Sequence, residues 1–246
     1  MFKPQTERLE KLYTNKSSQV KFLDKKLFKG KTNVYIDWAN VFHWQKKLNW
    51  HIEVKRLKQF LYSFDQINSV KIYQGYFEGD KTGEQELKDW ESWGLEVRTK
   101  PVKEINIDID MTSFKLEDTT IINRVMVKPL VKELPVKSIE AINNEIKDLN
   151  ESGTKTLTIH KCNFDVEMAS DIRIDSRDDS SIKTFVVWSG DSDFVDTVNA
   201  LKHDRKRVVI FSTRGMISHE LSHSKAYVYD IKNIKNFICW SKEMDL

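Results

Sequence analysis

The chain is poor in cysteine, proline and glycine, with two, four and eight of each among 246 residues. The two cysteines, Cys162 and Cys239, lie far apart and in no metal-ligand spacing. That excludes a disulfide framework and leads us to expect a reducing, cytoplasmic compartment. Scarce glycine and proline leave little room for long flexible linkers. No apolar run is long enough to span a bilayer and nothing resembles a secretory leader, so a membrane is not expected as a partner. There is no Walker lysine motif, no Gly-x-Gly-x-x-Gly after a strand, no internal repeat and no low-complexity tract, which weakens nucleotide-cofactor readings. A large charge of one sign is also missing: the net charge is +3. The distribution is uneven, because residues 1–31 carry nine Lys/Arg against three Asp/Glu. This stretch reads as a polar helix over residues 5–29 with apolar Leu9, Leu12, Val20, Leu23 and Leu27; a basic arm of this kind suits a phosphate polymer, and the plainer reading is a solvated, partly frayed helix.

What is present is an alternation of short β-branched runs with amphipathic stretches. Strands are expected at Asn33–Asp37, Ser69–Tyr76, Leu95–Thr99, Thr184–Trp188, Arg207–Phe211 and near Tyr227–Tyr229. Helices are expected at Asn40–Lys47, Val54–Phe64, Gly83–Trp93, Asp165–Ile174, Asp193–His203 and Ile217–Ser224. Such alternation predicts an α/β fold whose parallel sheet is covered on both faces. The pattern breaks over 105–160, where strands at Thr119–Val127 and Thr156–His160 flank a polar helix near Ser138–Leu149 and Pro129 and Pro135 punctuate the join. The expected organisation is therefore a basic extension (1–31), a main domain (32–104 and 161–240) and an inserted β-rich arm (105–160).

The run Phe185-Val186-Val187-Trp188 ends in Ser189-Gly190, and Asp191 and Asp193 follow at i and i+2. Asp37 ends the first strand and Asp165 opens a helix. In open α/β sheets, strand ends converge on the carboxyl edge, so acids remote in sequence can meet there. Several carboxylates without His or Cys partners suit a hard divalent cation, Mg²⁺ or Mn²⁺, rather than zinc. An EF-hand is excluded because the twelfth position from Asp191 is Lys202, where a bidentate Glu is required. Each acid also has a plainer use. Asp193 and Asp165 could cap their helices, a role worth about 1 kcal/mol each, and Asp37 could be a solvated strand end.

Three segments resemble the signatures of NYN domains, which are PIN-like nucleases, and the likeness is nearest the bacterial LabA/DUF88 branch. They are Tyr35-Ile36-Asp37-Trp38-Ala39-Asn40-Val41, Lys161 through Asp171, and Ser189-Gly190-Asp191-Ser192-Asp193-Phe194. Arg98–Lys103 and Val208–Gly215 with Ser218-His219-Glu220-Leu221 add to the likeness. The resemblance implies a PIN-like α/β/α sandwich and metal-dependent endonucleolytic cleavage of RNA. It implies that Asp37, Asp165, Asp191 and Asp193 hold Mg²⁺ directly or through water, with Asn40 orienting a water or phosphate. Asp171 matches a further acid of the second signature, behind the ligands. Ser189 and Ser212 could bond a carboxylate or a phosphate, or simply their own turns. One departure is Ala226, where the family usually carries an Asp near the start of its last strand. The segment 105–160 is longer than the usual connection and suits an RNA-holding arm, a dimerisation element or a lid.

Lys100, Lys103, Lys161 and Arg214 flank these motifs and could neutralise backbone phosphates. Trp38 could stack a base of single-stranded RNA. Trp44 fits the core, at helical spacing from Val41, and His43 the surface. The expectation is a metal-dependent ribonuclease. The alternative is an NYN-like module that binds RNA or protein with little or no cleavage. A phosphate-accepting receiver domain fits poorly, because no acid ends the Ser69–Tyr76 strand.

Overall fold

A computed structural model describes residues 1–108, 135–138, 140, 141, 144 and 156–240. The chain divides into two compact units, Met1–Val102 with Cys162–Leu246, and Lys103–Lys161.

The first unit is built on six strands: β1 (Lys31–Asp37), β2 (Ile67–Tyr76), β3 (Glu96–Pro101), β6 (Ile182–Trp188), β7 (Arg207–Ser212) and β8 (Tyr227–Asp230). Their order is β3-β2-β1-β6-β7-β8, and every pairing is parallel. The chain thus winds outward from β1 to β3, then crosses back to β6 and winds outward the other way. The switch point lies between β1 and β6, where an open α/β sheet has its crevice.

Alternation along the central strands sends successive side chains to opposite faces. Val34, Ile36, Val186, Trp188, Val209 and Phe211 join one core. Tyr35, Phe185, Val187, Val208 and Ile210 join the other. Near-continuous burial of β1 and β6 is what a parallel sheet covered on both faces requires. The first face takes α3 (Trp38–Leu48), α4 (Val54–Leu61) and the N-terminal helices α1 (Glu7–Asn15) and α2 (Ser17–Phe22). The second takes α6 (Asp165–Asp178), α7 (Val195–His203) and the short α8 (His219–Ser222). These layers form the expected α/β/α sandwich. The helix α5 (Lys81–Ser92) begins two residues before its expected start because Asp80 caps it, accepting from the Gly83 N–H at 3.1 Å. The short α9 (Lys235–Ile238), which sequence periodicity did not suggest, buries Phe237 and Ile238.

The N-terminal extension departs from expectation. It is two helices followed by a π-helical turn at Leu23–Leu27, not one polar helix. Leu9, Val20, Leu23, Leu27 and Phe28 are fully buried in the first core. The Arg8 guanidinium donates to the carbonyls of Asn236 and Phe237, which ties α1 to α9. An arm free to reach toward the acids is therefore excluded, because its apolar stripe is part of the core.

In the second unit, β4 (Lys103–Asp108) pairs antiparallel with β5 (Thr156–Lys161), in register from Lys103↔Lys161 to Asp108↔Thr156. The strand β4 beginning at Lys103 was not foreseen. Residues 136–138, 140, 141 and 144 are helical, within the expected polar helix or just before it. The expected strand at Thr119–Val127 lies outside the described residues. Among the described residues no helix is long and apolar enough to cross a membrane.

Candidate functional site

The switch point is lined with carboxylates. Asp37 is the last residue of β1 and sits at the start of α3, where it is 9% exposed. Its Oδ1 accepts from the Asn40 backbone N–H at 3.2 Å, so it caps the helix. Its Oδ2 accepts from Ser189 Oγ at 3.1 Å. Burial pushes the Asp37 carboxyl above the ordinary range, partly offset by these two donors, and neighbouring Asp191 raises it further.

Ser189 is fully buried at the end of β6 and joins the two halves of the site. It donates to Asp37 and accepts from the Asp191 N–H at 3.2 Å. Asp191 then caps a 3₁₀ turn, Ser192–Phe194, by accepting from the Asp193 N–H at 3.2 Å. The capping role expected of Asp193 thus belongs to Asp191. The Asp193 carboxylate is exposed and has no hydrogen-bond partner among the described residues.

Asp165 opens α6, its N–H held by Asn163 Oδ1 at 2.7 Å. One carboxylate oxygen from each of Asp165, Asp191 and Asp193 lies within 4.8 Å of the others. Burial raises the Asp165 carboxyl to about 6, with Asp191, Asp37 and Asp193 adding to the shift against the Asn163 hydrogen bond. Without a cation these acids resist one another's ionisation. Asp37 lies outside the trio and is linked to it through Ser189 and by its charge.

Gly190 is where backbone meets backbone. A Cβ there would fall 1.7 Å from the Met216 carbonyl oxygen, and the Gly190 carbonyl accepts from the Ser218 N–H at 2.8 Å. Any side chain would displace the 215–218 loop, so only glycine fits. Ser212 holds this loop by donating to the Met216 carbonyl at 3.3 Å. Its hydrogen bond is to its own turn and not to a carboxylate. Between α3 and the loop lies a cleft of about 370 Å³ bordered by Asn40, His43, Lys47, Gly190, Asp191 and Ser218. Neither His43 nor Lys47 stood out as a cleft residue in the sequence, although their i,i+4 spacing puts them on one face of α3.

Trp38 is 7% exposed and packs edge-on to Trp90, with ring centroids 5.4 Å apart. It has no open face for a base, which corrects the stacking expectation. Trp44 is core at 4% exposed, and His43 is exposed. Lys100 pairs with Glu167 in the first turn of α6 and lies 4.6 Å over the Phe164 ring. Its charge therefore already has a local partner. Arg214 is exposed. Lys103 and Lys161 face each other across the β4–β5 ladder in the second unit.

Asp171 accepts from Tyr73 Oη at 2.9 Å and from Arg98 Nε at 3.2 Å. Its neighbour one turn on, Asp175, was not singled out in the sequence. It accepts from Tyr35 Oη at 2.6 Å, Lys71 Nζ at 2.8 Å and Asn33 Nδ2 at 3.1 Å. Burial, then these acids, push both tyrosine hydroxyls well above their usual range. The signal for this network was Lys71, a charge within the apolar strand Val70-Lys71-Ile72, which needs a buried partner.

Comparison with known proteins agrees with the resemblance. The family model for the NYN domain matches residues 128–232, which include the second and third signatures. The chain is 23% identical over 208 residues to the low amplitude and bright protein LabA of Synechococcus elongatus. That alignment covers 83% of this chain and 86% of LabA. A crystal structure of a Vibrio parahaemolyticus protein of unknown function superposes with a TM-score of 0.51 at 15% identity, covering 87% of this chain and 98% of that one. At that identity the superposition speaks for the fold alone. The NYN match points to a PIN-like nuclease fold, with a cluster of aspartates at its switch point.

Proposed function

We propose that this protein, whose residues 128–232 match the NYN domain, is a divalent-metal-dependent nuclease that hydrolyses RNA phosphodiester bonds. The observation that carries this reading is the convergence of Asp165, Asp191 and Asp193 within 4.8 Å at the sheet's switch point. The donor set fits the ion: three carboxylate oxygens without His or Cys suit Mg²⁺ or Mn²⁺. When bound, such an ion polarises a phosphoryl oxygen and acidifies a water.

The chain's own residues do the rest. Asp191 and Asp193 are aimed by the 3₁₀ turn, and Asp165 by the first turn of α6. Asp37, fixed by Asn40 N–H and Ser189 Oγ, adds a further carboxylate near the trio that would strengthen its hold on a cation. Asn40, His43 and Lys47 line the adjoining cleft, where their donors can hold the phosphates that flank the scissile bond. The intact acid set favours an enzyme over a binding module.

The test is cleavage of labelled single-stranded RNA in Mg²⁺. Asp165→Asn and Asp193→Asn are each expected to lower the rate about 100-fold with an unchanged circular dichroism spectrum. Wild-type rates in either variant, or in excess EDTA, would rule out the metal mechanism.

A further inference from the structure

We infer a second surface, on the sheet edge opposite the acidic cluster, that binds the phosphate backbone of a single RNA strand. It rests on the nuclease reading only in the choice of RNA as the polyanion. Parallel pairing puts the first residues of β1, β6, β7 and β8 on one edge. Seven cations gather there. Lys25, Lys26 and Lys29 come from the π turn and the loop before β1, Lys183 from the start of β6, and Arg205, Lys206 and Arg207 from the start of β7. Their segments touch. Arg207 Nη2 donates to the Lys26 carbonyl at 2.7 Å, the Lys29 N–H donates to Thr184 Oγ1 at 3.2 Å, and Lys206 Nζ donates to the Ile182 carbonyl at 2.8 Å.

Among the described residues none of the seven forms an ion pair. The nearby acids are engaged elsewhere: Asp179 with Lys31, Asp178 with Arg177, Asp24 with Gln66 and the Met1 amine, and Asp204 with His203. Six of the seven cations are exposed, and Lys206 is half-buried. Cations supplied by three separate segments along one sheet edge suit an extended polyanion rather than a small one.

Aromatic rings border the row. Tyr227, first residue of β8, is 44% exposed and Phe22 is 37% exposed, with ring centroids 5.9 Å apart. Exposed rings beside a cationic track give bases a stacking platform, which favours a nucleic acid over other polyanions. Seven-residue strands hold this edge roughly 23 Å from the acids, so a long strand can engage both edges while a short one cannot.

The experiment measures binding of a single-stranded RNA of about 40 nucleotides by anisotropy across a salt series, with the full chain in EDTA so that no cleavage occurs. The variant Lys25→Gln/Lys26→Gln/Lys29→Gln/Lys183→Gln is expected to lose at least about tenfold in affinity, and its log–log salt slope to fall by about 3. The matching Lys→Arg variant is expected to keep both. Tyr227→Ala is expected to weaken binding about fivefold with the slope unchanged. An unchanged slope in the Gln variant overturns the inference, as does charge-dependent binding to phosphatidylserine vesicles without binding to RNA. If no form of the protein cleaves RNA and yet the slope falls, the nuclease reading fails and this surface stands.

Discussion

At Asp165, burial and three neighbouring carboxylates work against ionisation and raise its carboxyl to about 6. A folded-state value above the unfolded one means that the folded chain holds the extra proton between about pH 4 and pH 6. Stability is therefore lost as pH rises through that window, and stays lower above it. Asp165→Asn removes this cost. Discounted for the group's partial exposure, the gain at pH 7.5 is about 1 kcal/mol, or a few degrees in Tm. We expect the variant to melt above the wild type at pH 7.5 in EDTA, and the gap to close near pH 4. A divalent ion should stabilise the wild type alone. Melting curves at the two pH values, with and without Mg²⁺, check all three outcomes. Asp37, Asp165, Asp191 and Asp193 were legible in the sequence because each sits at a strand end or helix start, and such places can be read locally. The division of labour between Asp191 and Asp193 was not, because both can cap and only the turn's backbone chooses.

Helix α6 connects the site to the sheet. Its first turn carries Asp165, and Asp171 and Asp175 further along bond to β1, β2 and β3. Lys71 is only 6% exposed, and Asp175 is its close charge partner at 2.8 Å. Glu96 is more distant at 3.9 Å. Removing one member of a buried pair leaves the other charge uncompensated, whereas replacing both by apolar groups can be nearly neutral. We expect Asp175→Ala to cost about 3 kcal/mol, and Lys71→Met in the Asp175→Ala background to recover most of it. Denaturant unfolding of the two single variants and the double variant gives the coupling. Equal losses in Asp175→Ala and in the double variant would show that the pair is not the source. The helix itself was legible from its apolar spacing and the second signature. Its anchors were not, because Asp175 meets partners more than a hundred residues away in sequence.

The two units of the chain meet a simple covalent condition. Lys103 and Lys161 are direct partners in an antiparallel ladder, so the ends of the excursion lie about 5 Å apart. An Asn-Gly turn in place of residues 104–160 should close the gap. The first unit keeps both of its cores in that form, and its Tm should stay within about 5 °C of the full chain. A broad, non-cooperative melt would show instead that the second unit is needed for folding. The N-terminal extension is a contrasting case. Its composition reads as a basic helical extension, yet Leu9, Leu23 and Phe28 are core.

The sequence by itself determined the alternation of strands and helices, the placing of four acids at strand ends or helix starts, and the likeness to NYN domains. These depend on periodicity and capping, which act over a few residues. Tertiary structure alone decided that β1 and β6 lie side by side, so that Ser189 reaches Asp37 across 152 positions of sequence. It also decided that Trp38 is buried against Trp90, that Lys100 is matched by Glu167, and that seven cations with no ion pair among the described residues come together on the edge away from the acids. Which charge is paired and which ring is open depends on contacts between distant segments, and those exist only once the strand order is set.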